Sequence, residues 1–100
     1  MELTDAQTKR LKGLAHALHP IVLIGQNGLK DTILVEIDNA LTYHQLVKIK
    51  ISVGDRDLRD ETLKQILEHA SEAILIQKIG NMAVLYQRNP DRPYLLSSNA

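Results

Sequence analysis

The chain has no cysteine, no tryptophan and no phenylalanine. Without cysteine, disulfides, thiolate metal sites and a thiol nucleophile are all excluded. Three tyrosines, Tyr43, Tyr86 and Tyr94, are its whole aromatic content. That is too few for the strand surfaces on which RRM and cold-shock modules stack successive bases. Net charge is missing too, because twelve Lys and Arg balance twelve Asp and Glu. A nucleic-acid role must therefore be read from how charge is arranged, not from its total. No apolar run approaches the length of about 20 residues that spans a bilayer. The opening MELTDAQTKR lacks the form of a signal peptide, so a cytoplasmic protein is expected.

What is present is ordinary for one globular domain: 100 residues, 44% apolar and 24% charged, enough to build a core but too few for two domains. Thr4-Asp5-Ala6-Gln7 has the form of a capping box. Leu11, Leu14, Ala15 and Leu18 follow on one helical face, and Pro20 closes that helix near His19. Ile21 to Ile24 read as a short apolar strand covered on both faces. After Gly25-Gln26-Asn27-Gly28, Leu29, Ile33, Ile37 and Leu41 recur every four residues, which predicts a second amphipathic helix. From Leu46 to Val53 the pattern alternates, with Lys48, Lys50 and Ser52 on a solvated face. A polar loop then leads to a third helix with Leu63, Ile66, Leu67 and Ala70 inside, and Asp60 spaced to pair with Lys64. Ala73 to Ile79 and Met82 to Arg88 read as strands joined by a Gly80-Asn81 turn. The order αβαβαββ predicts an α/β domain over residues 1–88, with a four-stranded mixed sheet and helices packed on it in two layers. Its βαβ crossovers should be parallel and its last hairpin antiparallel. Residues 89–100 lack periodicity and read as a loosely docked or disordered tail.

Two features point toward a ligand. Gly25 and Gly28 frame a strand-to-helix junction, where free helix N–H groups and the helix dipole suit an anion such as phosphate. Lys30 adds a nearby positive charge. The stretch is too short for a Walker loop and lacks the third glycine of a dinucleotide fingerprint. KH modules clamp a nucleic-acid backbone with Gly-x-x-Gly, though between two helices. A plain tight turn is the simpler reading of the four residues alone. The second feature is a stripe of Lys9, Lys12 and His16 on the first helix, opposite Leu11, Leu14 and Leu18. Near an amide-lined phosphate site, a basic stripe suits a module that follows a phosphate chain. The alternative is an ordinary solvated face with Asp5 paired to Lys9. His16 and His19 have no third ligand at helical spacing, so no metal is expected. His44 and His69 read as surface or helix-end residues. No Ser or Thr stands in a nucleophile motif and no acid–base pair is evident, so neither an enzyme nor a cofactor is expected.

The segments LTDAQTKRLKGLAHALHPIVLIGQNGL, EIDNAL and HQLVKIKI resemble the YhbY family of bacterial proteins, the stand-alone form of the CRM domain. The resemblance runs from Leu3 to about Arg88. It implies a fold similar to the C-terminal domain of bacterial translation initiation factor three. It also implies RNA binding in association with precursors of the large ribosomal subunit, hence a part in ribosome biogenesis with ribosomal RNA as partner. The family's Gly-x-x-Gly loop maps onto Gly25, Gln26, Asn27 and Gly28, and its basic first-helix positions onto Lys9, Lys12 and His16. Many CRM loops carry a lysine between the glycines, where this chain has neutral Gln26 and Asn27. Contact at the loop would then rest on backbone N–H groups, amide side chains and Lys30. A reading from another class is a protein-interaction module that docks on a ribosomal protein or assembly GTPase through a sheet edge. Neither reading needs a membrane or a small-molecule substrate.

Overall fold

The computed structural model describes residues 2–96. In chain order the elements are α1 (Asp5–His16), β1 (Val22–Ile24), α2 (Asp31–His44), β2 (Leu46–Ile51), α3 (Arg56–His69), β3 (Ile74–Ile79) and β4 (Met82–Tyr86). This is the expected αβαβαββ order. The predicted capping box forms: Gln7 N–H donates to Thr4 Oγ1 at 3.1 Å, and Thr4 N–H donates to Gln7 Oε1 at 3.0 Å. The helix stops at His16 rather than near His19, because the chain tightens into a turn in which Leu18 N–H donates to the Ala15 carbonyl.

The sheet order is β1-β2-β4-β3, with β1 parallel to β2 and β4 antiparallel to both its neighbours. Both predicted crossovers therefore join parallel strands. The second joins strands that are not adjacent, and β4 folds back into the space between β2 and β3. The period-two alternation of β2 then divides the interior into two cores. Val47, Ile49 and Ile51 face one way, with Val22, Ile24, Ala83 and Leu85, beneath Ile37 and Leu41 of α2 and Leu63 and Ile66 of α3. Leu46, Val84, Tyr86 and Ile76 face the other way, beneath Leu11 and Ala15 of α1 and against Leu96. Each fully buried Leu or Ile stabilises the fold by roughly 1.5–3 kcal/mol.

Helix α1 thus lies on the face opposite α2 and α3, and where it covers the sheet the domain is three layers deep rather than two. Its cover is partial, which alters three expectations. Strand β1 is buried on one face only: Val22 and Ile24 are enclosed, but Leu23 is 63% exposed and Ile21 47%, since β1 is an edge strand outside the reach of α1. Leu14 is exposed, because the packed stripe of α1 is narrow and centred on Leu11 and Ala15. Lys48 and Lys50 are half-buried rather than fully solvated.

Asp60 pairs across to Lys78 of β3 instead of with Lys64 along its own helix. Of the stretch set apart as a tail, residues 89–96 run back over the C-terminal end of α2. Buried Gln45, which caps α2 at φ 65, holds them there. Its Oε1 accepts from Arg88 Nη1 and from Asn89 N–H, both at 2.9 Å, and its Nε2 donates to the Pro93 carbonyl at 2.7 Å. Arg10 Nε of α1 donates to the Leu95 carbonyl at 2.9 Å. Residues 97–100 of that stretch lie outside the described residues.

Candidate nucleic-acid interface

The Gly-x-x-Gly stretch forms a tight turn in which Gly28 N–H donates to the Gly25 carbonyl at 3.0 Å, with Gln26 and Asn27 exposed at its tip. Gly28 has φ 76, a backbone state that costs any residue with a Cβ, so the turn itself accounts for this glycine. Gly25 is different. Its φ lies outside the left-handed region, and a Cβ built on it would meet no atom within 4 Å. Neither backbone nor packing within the protein requires glycine there. The same open space surrounds Gly28.

Three segments converge at this end of the sheet. Gln26 Nε2 donates to the Ser52 carbonyl at 3.2 Å, and Ser52 N–H donates to the Ile24 carbonyl at 2.8 Å. Asn81 of the hairpin turn offers its Nδ2 to Ser52 Oγ at 3.5 Å and accepts from Ile51 N–H at 2.7 Å. The loop is therefore braced against the end of β2 and the β3–β4 turn. The sequence marked Asn81 only as a turn residue and Ser52 only as part of a solvated strand face, because their bracing of the loop rests on contacts 26 and 29 residues away along the chain.

The loop opens onto the start of α2. Helices α1 and α3 have their first N–H groups capped by Thr4 and Asp55, but Lys30 at the head of α2 makes no side-chain cap. Those N–H groups, with the positive end of the helix dipole and the exposed Lys30, favour an anion. Asp31 in the first turn opposes it and weakens the site's preference.

Lys9, Lys12 and His16 are all exposed on the side of α1 away from Leu11 and Ala15. Among the described residues the side-chain contacts between basic and acidic groups are Lys78 with Asp60 and His69 with Asp38, and neither involves these lysines. Their charge is free for a ligand. The C-terminal end of α1 leads into the start of β1, whereas the loop leaves its far end, about 10 Å further on for three extended residues. In chain order the edge strand β1 thus lies between the stripe and the loop. His44 and His69 end α2 and α3 as expected, and His69 Nε2 lies 2.8 Å from Asp38 Oδ2. His16 and His19 are exposed, and among the described residues no three His, Cys, Asp or Glu side chains gather into a metal-binding group. Among the same residues no helix is long and apolar enough to cross a membrane.

The site candidates of this small α/β domain are thus a strand–glycine turn–helix junction braced by neighbouring loops and an exposed basic stripe on α1. The family model of the CRS1 / YhbY (CRM) domain matches residues 3–87, and the chain belongs to that family. It is 38% identical over 90 residues to a probable RNA-binding protein of Pseudomonas aeruginosa, covering 90% of this chain and 86% of that one. It is 41% identical over 85 residues to an RNA-binding protein of Haemophilus influenzae, covering 85% of each. The solution structure of a hypothetical protein of Staphylococcus aureus superposes with a TM-score of 0.71 at 32% identity, over 88% of this chain and 91% of that one.

Proposed function

We propose that the protein is a non-enzymatic RNA-binding domain that grips the sugar–phosphate backbone through Gly25, Gln26, Asn27, Gly28 and Lys30, and through Lys9, Lys12 and His16 of α1. The observation that carries this reading is Gly25, a glycine that the fold does not need, beside an uncapped helix N-terminus. A glycine facing open space is explained when something outside must come close to the backbone. The RNA-binding relatives support RNA as that partner. The family resemblance supports ribosomal RNA in precursors of the large ribosomal subunit as the target, and the cytoplasm as the place.

The test is filter binding of the protein to ribosomal RNA fragments at two salt concentrations. With three to five phosphates neutralised, log affinity should fall against log salt with a slope of roughly −2 to −4 on single strands. Replacing both Lys9 and Lys12 by alanine should leave the melting temperature nearly unchanged, since both are exposed. It should also weaken binding across sequences and flatten the slope by about one to two units. The pair Glu61→Ala and Glu68→Ala, exposed on α3, is the control and should not weaken it. Affinity indifferent to salt would sink the electrostatic account and favour docking on a protein partner. Unchanged binding by the lysine pair would remove α1 from the site.

A further inference from the structure

The second face of the sheet is only half covered. Beyond the reach of α1, one transverse row of side chains crosses all four strands. Leu23 on β1 stands opposite Lys50 on β2, Lys50 opposite Met82 on β4, and Met82 opposite Ile79 on β3. Cross-strand partners share a face, so these four side by side form a surface about 14 Å wide. Leu23 and Ile79 are each 63% exposed, and Lys50 and Met82 are half-exposed. For an isolated leucine or isoleucine such exposure is unremarkable, but a continuous apolar row with a lysine in it is an interaction surface.

Charge and position indicate what lies on it. None of the four strands contains an aspartate or glutamate, while they carry Lys48, Lys50 and Lys78. Lys78 is held by Asp60 beneath the other face, which leaves Lys48 and Lys50 for this one. In a chain of zero net charge the strands' charges on this face are therefore all positive, complementary to a polyanion rather than to an average protein surface. The row is also continuous with the proposed backbone grip. Leu23 is two residues before Gly25, and Ile79 adjoins the Gly80-Asn81 turn that braces Ser52 and, through it, Gln26.

We propose that this row is the base-binding floor of the RNA site. With the phosphates held at the Gly-x-x-Gly loop, the unpaired bases of a single strand lie flat on Leu23, Met82 and Ile79. Lys50 and Lys48 meet the next phosphates. Aliphatic side chains give base faces an apolar bed without selecting among the four bases, and they serve in place of the aromatic platform that the sequence lacks. The inference rests on the reading that the protein binds RNA and extends it from backbone to bases, which makes single strands the preferred ligand.

The experiment titrates the full chain with oligouridine and with an RNA duplex of equal length, following side-chain methyl signals by NMR and affinity by filter binding. The Leu23, Ile79 and Met82 methyls should shift with oligouridine and not with the duplex. Leu23→Gln with Ile79→Gln, both at exposed positions, should lower oligouridine affinity roughly five- to thirtyfold with the salt slope unchanged. Lys50→Gln should lower affinity and flatten the slope by about 0.7, one phosphate on a single strand. Melting curves confirm that each variant is folded. If the wild type binds oligouridine while these methyls stay still and the double variant binds equally well, the floor is overturned and the backbone reading stands. If the wild type binds neither RNA at low salt, both readings fall together.

Discussion

Gly25 and Gly28 differ in a way that lets one pair of substitutions separate folding from binding. At Gly28 the φ of 76 is the difficulty. An alanine there meets no atom within 4 Å, so its cost is the left-handed backbone alone, about 1–2 kcal/mol. In a domain of this size that lowers the melting temperature by roughly 4–8 °C per kcal/mol. At Gly25 the same alanine meets neither strain nor packing. By reducing the freedom of the unfolded chain it should leave stability unchanged or raise it by up to about 1 kcal/mol. If RNA backbone approaches this surface, the added methyl stands in the approach path. Losing one hydrogen bond to a charged phosphate costs about 1.5–3 kcal/mol, or roughly ten- to a hundredfold in affinity. Calorimetric melting and filter binding on both variants measure the two effects separately. Gly25→Ala should melt at or above the wild type and bind RNA more weakly, whereas Gly28→Ala should lose on both counts. A Gly25→Ala protein of full stability and full RNA affinity would refute the reasoning and reduce the loop to a connector.

Gln45→Ala should destabilise the domain by about 2–4 kcal/mol in a urea titration, since it removes three hydrogen bonds of a buried side chain, to Arg88 Nη1, Asn89 N–H and the Pro93 carbonyl, each worth about 0.5–1.5 kcal/mol. Gln45→Gly should lose less, because glycine tolerates the φ of 65; equal losses would mean that the backbone there is unstrained. Asp60 is held below the ordinary carboxylate range mainly by its hydrogen bond from Lys78. Its folded value is depressed, so the pair's contribution is present above the unfolded value and is lost as pH falls through the folded one. Asp60→Asn should therefore narrow the gap between stability at pH 6 and at pH 2–3, and an unaltered acid limb would show that the pair contributes nothing.

The order of elements was legible because each announces itself locally: a capping box at Thr4, a four-residue apolar repeat from Leu29 to Leu41, alternation from Leu46, and a two-residue turn at Gly80-Asn81. What short-range pattern does not encode is which element covers which face. The run Ile21 to Ile24 is apolar throughout, which is how a doubly covered strand reads. Yet it lies at the sheet edge with Leu23 open, because α1 extends over β2, β4 and β3 instead. Lys48 and Lys50 alternate as a solvated face would, and half of that face is roofed. Gln45 carries no signal at all. A lone glutamine after a helix is unremarkable in sequence, and its importance arises from Arg88, Asn89 and Pro93, more than forty residues later.

The same limit explains why the candidate site was found in pieces. The glycine pair and the basic helix stripe are each contained in a dozen residues, so both could be read, but their separation could not. It is set by the parallel pairing of β1 with β2 and by α1 crossing the opposite face. Along the chain the edge strand β1 joins the two patches. Its outward residue Leu23 opens a row that continues through Lys50 and Met82 to Ile79. On the proposed reading, a ligand that touches both α1 and the glycine loop also lies along this row. Contacts at the two ends alone would leave the intervening apolar surface in water, whereas a strand whose bases lie on it gains from both terms. Affinity should then rise steeply with oligonucleotide length until the row is filled, and only gradually beyond it. A smooth rise with phosphate count, indifferent to whether the strand is single or paired, would mean that charge alone holds the RNA.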